Sequence, residues 1–507
     1  MKKYITTPIY YTNGAPHIGH AYTTILADVF KKFEKMKGNN VFLSTGTDEH
    51  GQKNQHTCEQ AGLPIDIFLE KQSKLFQDLF DRMSIDYDFF VRTSSEKHKI
   101  VVRRVLKDLY DRGLIIKKSY EGLYCEGCEQ FKKKTDLDEN GLCPDHRTAP
   151  KIISEENYFF RLEPYRQWLK EFIIQHSDWI TPHNYAKEVL RMLDEPLEDL
   201  CISRPKERVW LGIELPFDTN FVTYIWFDAL INYISILNWG KNDDFDAFWR
   251  QSYHLLAKDI LKPHCIYWPI MLKAIGIHPV AHCIVHGYWI GEGGVKMSKS
   301  LGNVVDPNEV IDIMGVEPLR FYLINNMNPT NDSPISLSLL LQGYKQLANN
   351  LGNLQMRVLK MVQKNLNGII PHDILLTTQD KGLLQKQSDT FKSIYNKEIT
   401  LSVVTELSNQ IMTACSLVNT YFASEEPWIL AKDPMKFPRF KQVIRTTLES
   451  LRLIATALYP LMPKTAESIL TSVALSTDNI LADFKPENLS SGSVLITQPL
   501  FPFIEAR

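Results

Sequence analysis

Apolar residues in the first fifty positions repeat with two different periods. Residues 3–11 are rich in β-branched and aromatic side chains, which is typical of a buried strand. Residues 18–33 carry apolar side chains at helical spacing, and residues 41–44 have the composition of a second strand. Strand, helix and strand in this order predict a βαβ unit with a parallel sheet. Such a unit places its functional site at the carboxyl edge of the strands.

The pattern changes twice farther along the chain. Residues 119–151 are polar, contain three of the eight cysteines and interrupt the α/β pattern, so we predict an insertion there. The α/β character returns around Cys201 and continues through the apolar strand at residues 280–286. Beyond about Pro334, residues 337–361, 398–422 and 440–461 show apolar residues at helical spacing with few strand signals, which predicts a helical bundle.

Length and composition narrow the class of protein. A chain of 507 residues exceeds what one hydrophobic core usually covers, so several domains are expected. The net charge of −2 argues against nonspecific coating of nucleic acid, although a local basic surface is compatible with it. No apolar stretch is long enough for a membrane span, and the N-terminus lacks the apolar core of a signal peptide. We therefore expect a cytoplasmic protein whose cysteines form no disulfide framework.

Two histidines, His17 and His20, lie at the predicted N-terminus of the first helix. At this spacing both imidazoles face the same side, where the free amides and positive dipole of a helix start favour anions. Gly19 between them leaves room for a flat base against the backbone. A helix that starts with two histidines by chance is the alternative, and this motif alone does not decide between them.

Lys296 and Lys299 belong to the pentamer Lys-Met-Ser-Lys-Ser, which is flanked by glycines. The glycines predict a mobile loop, and the lysines supply positive charge where a phosphoryl group becomes more negative in a transition state. An exposed lysine-rich loop is the alternative, but this pentamer has a chance probability on the order of 10⁻⁴ in such a composition. Together with the histidine pair, it predicts an enzyme that uses ATP.

Cys125, Cys128, Cys143 and His146 form two short chelating pairs separated by a loop. Such pairs suit a tetrahedral Zn²⁺ ion, and four protein ligands close its coordination sphere, so the ion is expected to be structural. A redox-active Cys-x-x-Cys pair and an iron site are the alternatives. The lysine run at residues 132–134 lies within this loop, where a solvated surface is a simpler interpretation than contact with RNA.

The segment at residues 226–233 places Trp226, Leu230 and Tyr233 on one helical face, which is normally a core pattern. The sequence around His264 is as compatible with a hydrogen-bonded structural histidine as with a residue of a binding site. Neither feature indicates a function by itself.

Residues 17–20 and 296–300 are similar to the HIGH and KMSKS motifs of class I aminoacyl-tRNA synthetases. Within that class, the loop at residues 46–51, the single zinc knuckle and the segment around Trp226 resemble the bacterial methionyl-tRNA synthetase family. The N-terminal run Thr-Pro-Ile-Tyr-Tyr-x-Asn at residues 7–13 adds to this resemblance. It extends along the chain from Lys3 to at least Trp428.

This resemblance implies a reaction and a set of partners. The chain would activate L-methionine to methionyl-adenylate with ATP and Mg²⁺, and transfer it to initiator and elongator tRNA(Met), releasing AMP and pyrophosphate. The catalytic residues implied are His17, His20, Lys296, Lys299, Arg204 and Asp259. The residues implied to bind ATP are His17, Gly19, His20 and Lys299. The residues implied to bind methionine are Ile9, Tyr11, Asp48, Trp226, Tyr233 and His264.

Some of these residues carry more specific expectations. The resemblance places Asp48 on the substrate's α-amino group and makes Arg204 and Asp259 an interacting charged pair. In the helical C-terminal part, Trp428 is expected to be exposed and to stack on an anticodon base, with Asn350 and Arg357 as companions. A buried bundle residue is the alternative for Trp428, and a plain surface residue is the alternative for Arg357.

The predicted fold class is α/β: a Rossmann-type parallel-sheet catalytic domain with a zinc-knuckle insertion, followed by an all-α anticodon-binding bundle. The predicted segments are the first catalytic half (1–115), the connective insertion (116–200, with the knuckle at 119–151), the second catalytic half (201–290), the KMSKS loop and stem-contact region (291–345) and the anticodon-binding domain (346–507).

Two departures from the family pattern affect these expectations. Some members have a proline just after the alanine of the Trp226 segment, where this chain has Leu230, so that position receives no pocket role. Some members also continue into a C-terminal module that binds tRNA and dimerises, whereas this chain ends at Arg507, from which we expect a monomer.

Two other functions are compatible with parts of the pattern. Sister enzymes for leucine, isoleucine or valine carry long editing insertions, for which the span between the two catalytic motifs is too short, and the cysteine enzyme would use an open zinc site. A noncatalytic tRNA-binding paralogue would have kept only the scaffold, and the retained histidines and lysines argue against it.

Overall fold

The N-terminal part alternates strands and helices, as its apolar pattern predicts. The computed structural model describes residues 1–125, 130–132, 134–144, 147–224, 226–241, 244–294, 297, 305–478 and 480–504. The first elements are β1 (Lys2–Tyr11), α1 (Ile18–Met36), β2 (Asn40–Asp48), α2 (Gln52–Ala61), α3 (Ile65–Arg82), β3 (Phe89–Arg92) and α4 (Glu96–Asp111). Helix α1 buries its apolar residues, including Ile25, Val29 and Phe33, against the sheet and against later helices.

Strands are more frequent than helices in the middle of the chain. The next elements are β4 (Ile115–Cys125), β5 (Gln130–Lys132), β6 (Lys151–Phe160), α5 (Arg166–Gln175), β7 (Ile180–Thr181), α6 (His183–Met192), β8 (Leu200–Cys201), β9 (Ser203–Pro205), β10 (Glu214–Leu215) and β11 (Asp218–Thr223). Strands β5, β4, β6 and β8 form an antiparallel sheet in that order, and β10, β11 and β9 form another. The first of these sheets interrupts the parallel pattern largely within the predicted insertion. The second, at residues 203–223, lies in the segment predicted to belong to the second catalytic half, so the antiparallel part extends beyond the predicted boundary.

The α/β pattern then resumes. The elements are α7 (Trp226–Leu230), α8 (Asn232–Ser235), α9 (Phe245–Trp249), β12 (Ser252–Ala257), α10 (Trp268–Ala274), β13 (His282–His286), β14 (Trp289–Ile290), α11 (Pro307–Met314), α12 (Val316–Asn325) and β15 (Ser333–Pro334). The predicted helical face at residues 226–233 therefore belongs to two short helices, and Leu230 and Tyr233 are buried in the core as its pattern indicates.

The central sheet has the strand order β3–β2–β1–β12–β13–β7, and every neighbouring pair is parallel. This confirms the predicted Rossmann-type sheet. Strand β1 pairs with β2 on one side and with β12 on the other, so the strand order reverses there and a crevice opens at the carboxyl edge. Strand β7 pairs with this sheet although residues 180–181 fall inside the predicted 116–200 insertion.

Helices form the C-terminal part, as predicted. The elements are α13 (Leu337–Leu347), α14 (Asn353–Leu366), α15 (Thr378–Tyr395), α16 (Leu401–Ser424), α17 (Pro427–Leu430), α18 (Phe437–Leu458) and α19 (Pro463–Ser472). A π-helical turn at Ala348–Gly352 joins α13 to α14. Among the described helices, none combines the length and the hydropathy that crossing a membrane requires.

One continuous hydrophobic core joins the sheet to the bundle. The ring of Phe33 on α1 stacks on that of Tyr395 on α15 at a centroid distance of 4.4 Å, and both belong to the same buried cluster. The amide of Ala482 also donates to the carbonyl of Met36 at the end of α1. Helix α1 therefore reaches from the crevice of the sheet to the bundle.

Candidate active site

A cavity of about 780 Å³ lies at the carboxyl edge of the sheet, where β1, β12 and β13 end. Its walls come from β1 and the turn after it, the start of α1, the end of β2, helices α7 and α8, and the segments that follow β12 and β13. The predicted site residues that line it are Ile9, Tyr11, His17, Gly19, His20, Asp48, Trp226, Tyr233, Asp259 and His264.

The side chains of His17 and His20 together cap α1. The Nδ1 atom of His17 accepts a hydrogen bond from the amide of Gly19 (3.1 Å), and Nδ1 of His20 accepts one from the amide of His17 (3.2 Å). The two rings stack with their centroids 3.7 Å apart, so both imidazoles face one side as expected. This reciprocal pattern is a capping box built from two imidazoles.

The cap fixes the protonation of these rings. Because each Nδ1 accepts from an amide, it carries no proton, and the neutral ring holds its proton on Nε2. Burial, and next to it the neighbouring His17, hold the pKa of His20 well below its ordinary value. The pair therefore offers neutral N–H donors beside the positive end of a 19-residue helix, which suits an anionic ligand.

Gly19 suits this stack. A Cβ at that position would lie 3.0 Å from Cε1 of the His17 ring, so a side chain there would push the ring away slightly. The sequence suggested that Gly19 leaves room for a flat base; in the structure the space beside it is already held by His17.

Asp48 ends β2 directly beside Tyr11, the last residue of β1, because the two residues are partners in the strand register. Its side chain is buried, and its Oδ1 lies 3.5 Å from both the amide of His50 and the hydroxyl of Thr93. A carboxylate held in this way at the cavity wall suits a cationic group such as an ammonium.

The cavity also has an aromatic wall. Tyr233 donates through its hydroxyl to Nε2 of His264 (2.8 Å), since Nδ1 of that ring donates to the carbonyl of Ile260 (2.9 Å). The rings of Trp226 and His264 meet edge to face with centroids 6.1 Å apart. Burial lowers the pKa of His264 to about 4, so this wall is neutral at physiological pH.

Arg204 is the predicted site residue that the structure places elsewhere. Its guanidinium lies 3.6 Å from the ring centroid of Tyr224 and donates to the carbonyl of Ser203 (2.7 Å), and the residue is absent from the described cavity wall. Asp259 does line the cavity, in the turn after β12. The pairing of Arg204 with Asp259 stays a prediction.

Four predicted residues lie outside the part of the chain that is described: Lys296, Lys299, Cys128 and His146. Met297, which stands between the two lysines in sequence and is the described residue of the pentamer, lines the cavity. Cys125 and Cys143, the other two proposed metal ligands, are both buried. Within the described residues, no three His, Cys, Asp or Glu side chains are grouped to hold a metal ion.

The predicted anticodon residues all lie in the helical C-terminal part, and Arg357 and Trp428 are neighbours there. Trp428 is 40% exposed, which confirms its predicted exposure, and the Arg357 guanidinium lies 5.8 Å from its ring centroid. Asn350, in the π-helical turn, accepts a hydrogen bond at its carbonyl from Asn419 of α16 (2.9 Å).

Sequence reasoning missed two groups of residues at this site. Lys53, in the first turn of α2, lines the cavity with its Nζ 5.7 Å from the Tyr11 ring centroid. Behind the wall, Asp228 is hydrogen-bonded to His50 and His98. His50 and Asp228 were inside the motifs that carried the family resemblance, but nothing in their spacing indicated that they meet.

Comparisons with known proteins agree with this geometry. The family described as tRNA synthetases class I (M) matches residues 3–151 and 135–359. Methionine–tRNA ligase of Clostridium tetani is 38% identical over 99% of this chain and 78% of its own length, and that of Thermotoga maritima is 36% identical over 100% and 81%. The solved Mycobacterium tuberculosis methionyl-tRNA synthetase in complex with methionyl-adenylate superposes with a TM-score of 0.93 at 30% identity, covering 99% of this chain and 100% of that one.

A parallel sheet with a histidine-capped helix at its crevice, followed by a helical bundle, defines a class I synthetase architecture. The chain belongs to the methionyl-tRNA synthetase family.

Proposed function

We propose that the chain activates L-methionine with ATP to methionyl-adenylate and pyrophosphate, and then transfers the methionyl group to tRNA(Met), releasing AMP. The observation that carries this proposal is a single cavity with two chemically different ends. The capped histidine pair at the start of α1 offers donors to an anion, while Asp48 and an aromatic wall offer sites to an ammonium group and an apolar side chain.

At the anionic end, His17 and His20 would donate from Nε2 to phosphate oxygens of ATP. Because their Nδ1 atoms are held by backbone amides, the rings need not reorient when the triphosphate becomes more negative in the transition state. Lys296 and Lys299 are proposed to add positive charge there, and Mg²⁺ would accompany ATP. Arg204 and Asp259 remain proposed as further active-site residues.

At the other end, Asp48 would hold the α-ammonium group while Ile9, Tyr11, Trp226, Tyr233 and His264 surround the thioether. Thioether sulfur packs favourably against aromatic rings, with roughly 0.3–1.5 kcal/mol for each contact. The Tyr233 hydroxyl and the His264 N–H are each engaged by another protein atom, so neither is poised to donate to sulfur. Selectivity for methionine over norleucine would therefore rest on shape and on contacts with aromatic rings.

The bundle would bind the anticodon arm of tRNA. Residues 333–372 contain no Asp or Glu, and their basic residues Lys345, Arg357, Lys360 and Lys364 are all exposed. This stretch of the chain carries basic charges only, although Glu425 and Glu426 stand close to Trp428 in sequence. A basic stretch suits a phosphate backbone, and an exposed tryptophan suits an unstacked base. Trp428 is proposed to stack on that base, with Asn350 and Arg357 beside it.

A structural Zn²⁺ ion is proposed for the insertion, held by Cys125, Cys128, Cys143 and His146. Burial of Cys125 and Cys143 supports it, because two buried cysteines in an otherwise polar segment suit thiolate ligands. Bound zinc would hold the two chelating pairs together. Metal analysis of the purified chain measures its zinc content directly. The chain is proposed to act as a monomer, which light scattering measures.

Amino-acid-dependent exchange between pyrophosphate and ATP tests the proposed function. Methionine should stimulate the exchange strongly, and leucine, isoleucine, valine and cysteine should not. Stimulation by one of these other amino acids would reassign the substrate. If none of the amino acids stimulated the exchange, the result would favour a noncatalytic tRNA-binding protein.

A further inference from the structure

A buried carboxylate lies behind the wall of the cavity. Asp228, on α7, accepts hydrogen bonds from Nδ1 of His50 (2.6 Å) and from Nε2 of His98 on α4 (2.7 Å). The hydroxyl of Thr223 lies 3.4 Å from the same carboxylate. Asp228 is 1% exposed, and it does not belong to the described lining of the cavity. It therefore acts on a ligand only through its neighbours.

Those neighbours are the two proposed contact regions for methionine. Trp226 stands two residues before Asp228 on α7, and Asp48 stands two residues before His50 at the end of β2. The hydrogen bond between His50 and Asp228 is thus a direct connection between the helix that carries the aromatic wall and the loop that carries the ammonium site. The two residues are 178 positions apart in sequence.

The hydrogen-bond network extends to a further helix, and Asp228 is its charged member. His98 is anchored at its other nitrogen by the hydroxyl of Ser235 on α8 (2.9 Å), so α4, α7 and α8 are held together with the Asp48 loop. Burial disfavours the charge of Asp228, yet His50 and His98 hold the pKa of this carboxyl well below its ordinary range. A carboxylate acceptor gives shorter and stronger hydrogen bonds than a neutral one, which restricts how far the two histidines can move.

We propose that Asp228 is a positioning residue for the amino-acid substrate. Through His50 it holds the loop of Asp48 at a fixed separation from the helix of Trp226, so that both ends of one methionine are bound at once. This inference rests on the proposed function, which assigns the two ends of methionine to these regions.

The first test compares Asp228→Asn with a matched control in the complete chain. Asp380 is also a buried carboxylate, bonded to Tyr421 (2.6 Å) and Arg439 (2.6 Å), but it lies in the bundle far from the cavity. Asp228→Asn should raise the KM for methionine in pyrophosphate exchange by roughly tenfold or more, because it converts one charged acceptor into a donor that faces a histidine N–H. The KM for ATP should change by less than about twofold. Asp380→Asn should lower the unfolding temperature and leave the KM for methionine unchanged.

A second pair of variants tests the connection even if Asp228→Asn fails to fold. The side-chain amide of asparagine places its nitrogen where Nδ1 of histidine lies, so His50→Asn should keep the donor to Asp228 and retain most of the methionine affinity. His50→Ala removes the donor and should raise the KM for methionine to a similar extent as Asp228→Asn.

These outcomes separate the inference from the proposed function. An unchanged KM for methionine in Asp228→Asn, or equal losses in His50→Asn and His50→Ala, would overturn the positioning role. Equal increases in the KM values for methionine and ATP would also overturn it, because a merely structural residue would act on both. If the wild-type chain instead exchanged with a different amino acid, the proposed function would fail, and the KM for that amino acid would test Asp228 in the same way.

Discussion

Arg320 donates a hydrogen bond through Nη2 to Asp28 over 2.6 Å, and both side chains are completely buried between the sheet and the bundle. Asp28 lies on α1, the helix that presents the histidine pair, and Arg320 lies on α12. The same guanidinium donates to the carbonyls of Leu461 (3.0 Å) and Pro460 (3.2 Å) after α18. One cation therefore joins the helix of the histidine pair to the helical bundle.

Replacing Arg320 with Met should lower the free energy of unfolding by about 1–3 kcal/mol, because the buried carbonyls of Leu461 and Pro460 lose their donor. Asp28 loses one cation but retains its ion pair with Lys32. Urea unfolding at neutral pH measures the change. The matched control is Arg103→Met, which removes a surface pair with Glu96 (3.1 Å) and should cost less than about 1 kcal/mol. Equal losses in the two variants would contradict the structural role given to Arg320.

Buried neutral histidines should make the protein less stable in mild acid. Burial lowers the pKa of His264 to about 4, whereas an unfolded chain takes up the proton near pH 6.5. Between these values the unfolded state binds more protons, so stability is retained above about pH 6.5 and falls as the pH drops toward 4. His264→Gln should therefore reduce the loss of unfolding free energy between pH 7 and pH 5 by about 2 kcal/mol. Urea titrations at the two pH values test this, and an unchanged loss would argue against a buried neutral imidazole.

Tyr233→Phe should weaken the binding of methionine without changing the selectivity for methionine over norleucine. The substitution removes the hydroxyl that donates to Nε2 of His264 and leaves that buried acceptor unsatisfied, which costs roughly 1–3 kcal/mol. We expect a higher KM for methionine and for norleucine alike, because that hydroxyl is directed at His264 and not at the substrate. The ratio of their kcat/KM values in pyrophosphate exchange should therefore change by less than about threefold. A collapse of this ratio would show that Tyr233 recognises sulfur.

The fold could be predicted because its periodicities are strong. Strand β1 at Lys2–Tyr11 and helix α1 at Ile18–Met36 fall within a few residues of the predicted elements, and α16 and α18 follow the predicted helical stretches. Helix α15 was missed because its 18 residues are mostly polar and bury a narrow face, including Leu384 and Phe391. Periodicity detects an apolar face only when that face is wide.

The chemistry of the site was only partly predictable. A local motif indicated His17 and His20, because both lie at the start of a helix that follows a strand of the parallel sheet. The family resemblance, and not the spacing of the residues, indicated Asp48. Their hydrogen bonds were not predictable. The contact of His50 with Asp228 depends on how distant segments pack, and one sequence holds no information on pairs so far apart.

Trp428→Ala should weaken tRNA binding without affecting amino-acid activation. Stacking of one base on an aromatic ring contributes roughly 1–3 kcal/mol, so the KM for tRNA(Met) in aminoacylation should rise by about 5- to 150-fold. Methionine-dependent pyrophosphate exchange should stay at the wild-type rate. Trp210→Ala is a matched control, since both tryptophans are 40% exposed and Trp210 lies away from the bundle. A similar rise in both variants would point to a general effect of losing a surface aromatic residue.

His17 combines a structural and a proposed chemical role, and two substitutions separate them. His17→Asn keeps an acceptor for the amide of Gly19, because asparagine is a favourable N-cap residue, so the free energy of unfolding should stay within about 0.5 kcal/mol of wild type. His17→Ala loses the cap and should be less stable by about 1 kcal/mol. Neither variant has the Nε2–H donor, so both should slow pyrophosphate exchange by about 10²- to 10³-fold at saturating methionine and ATP. If His17→Asn exchanged at the wild-type rate, the imidazole would serve α1 as a cap alone, and the donor to phosphate would have to be His20.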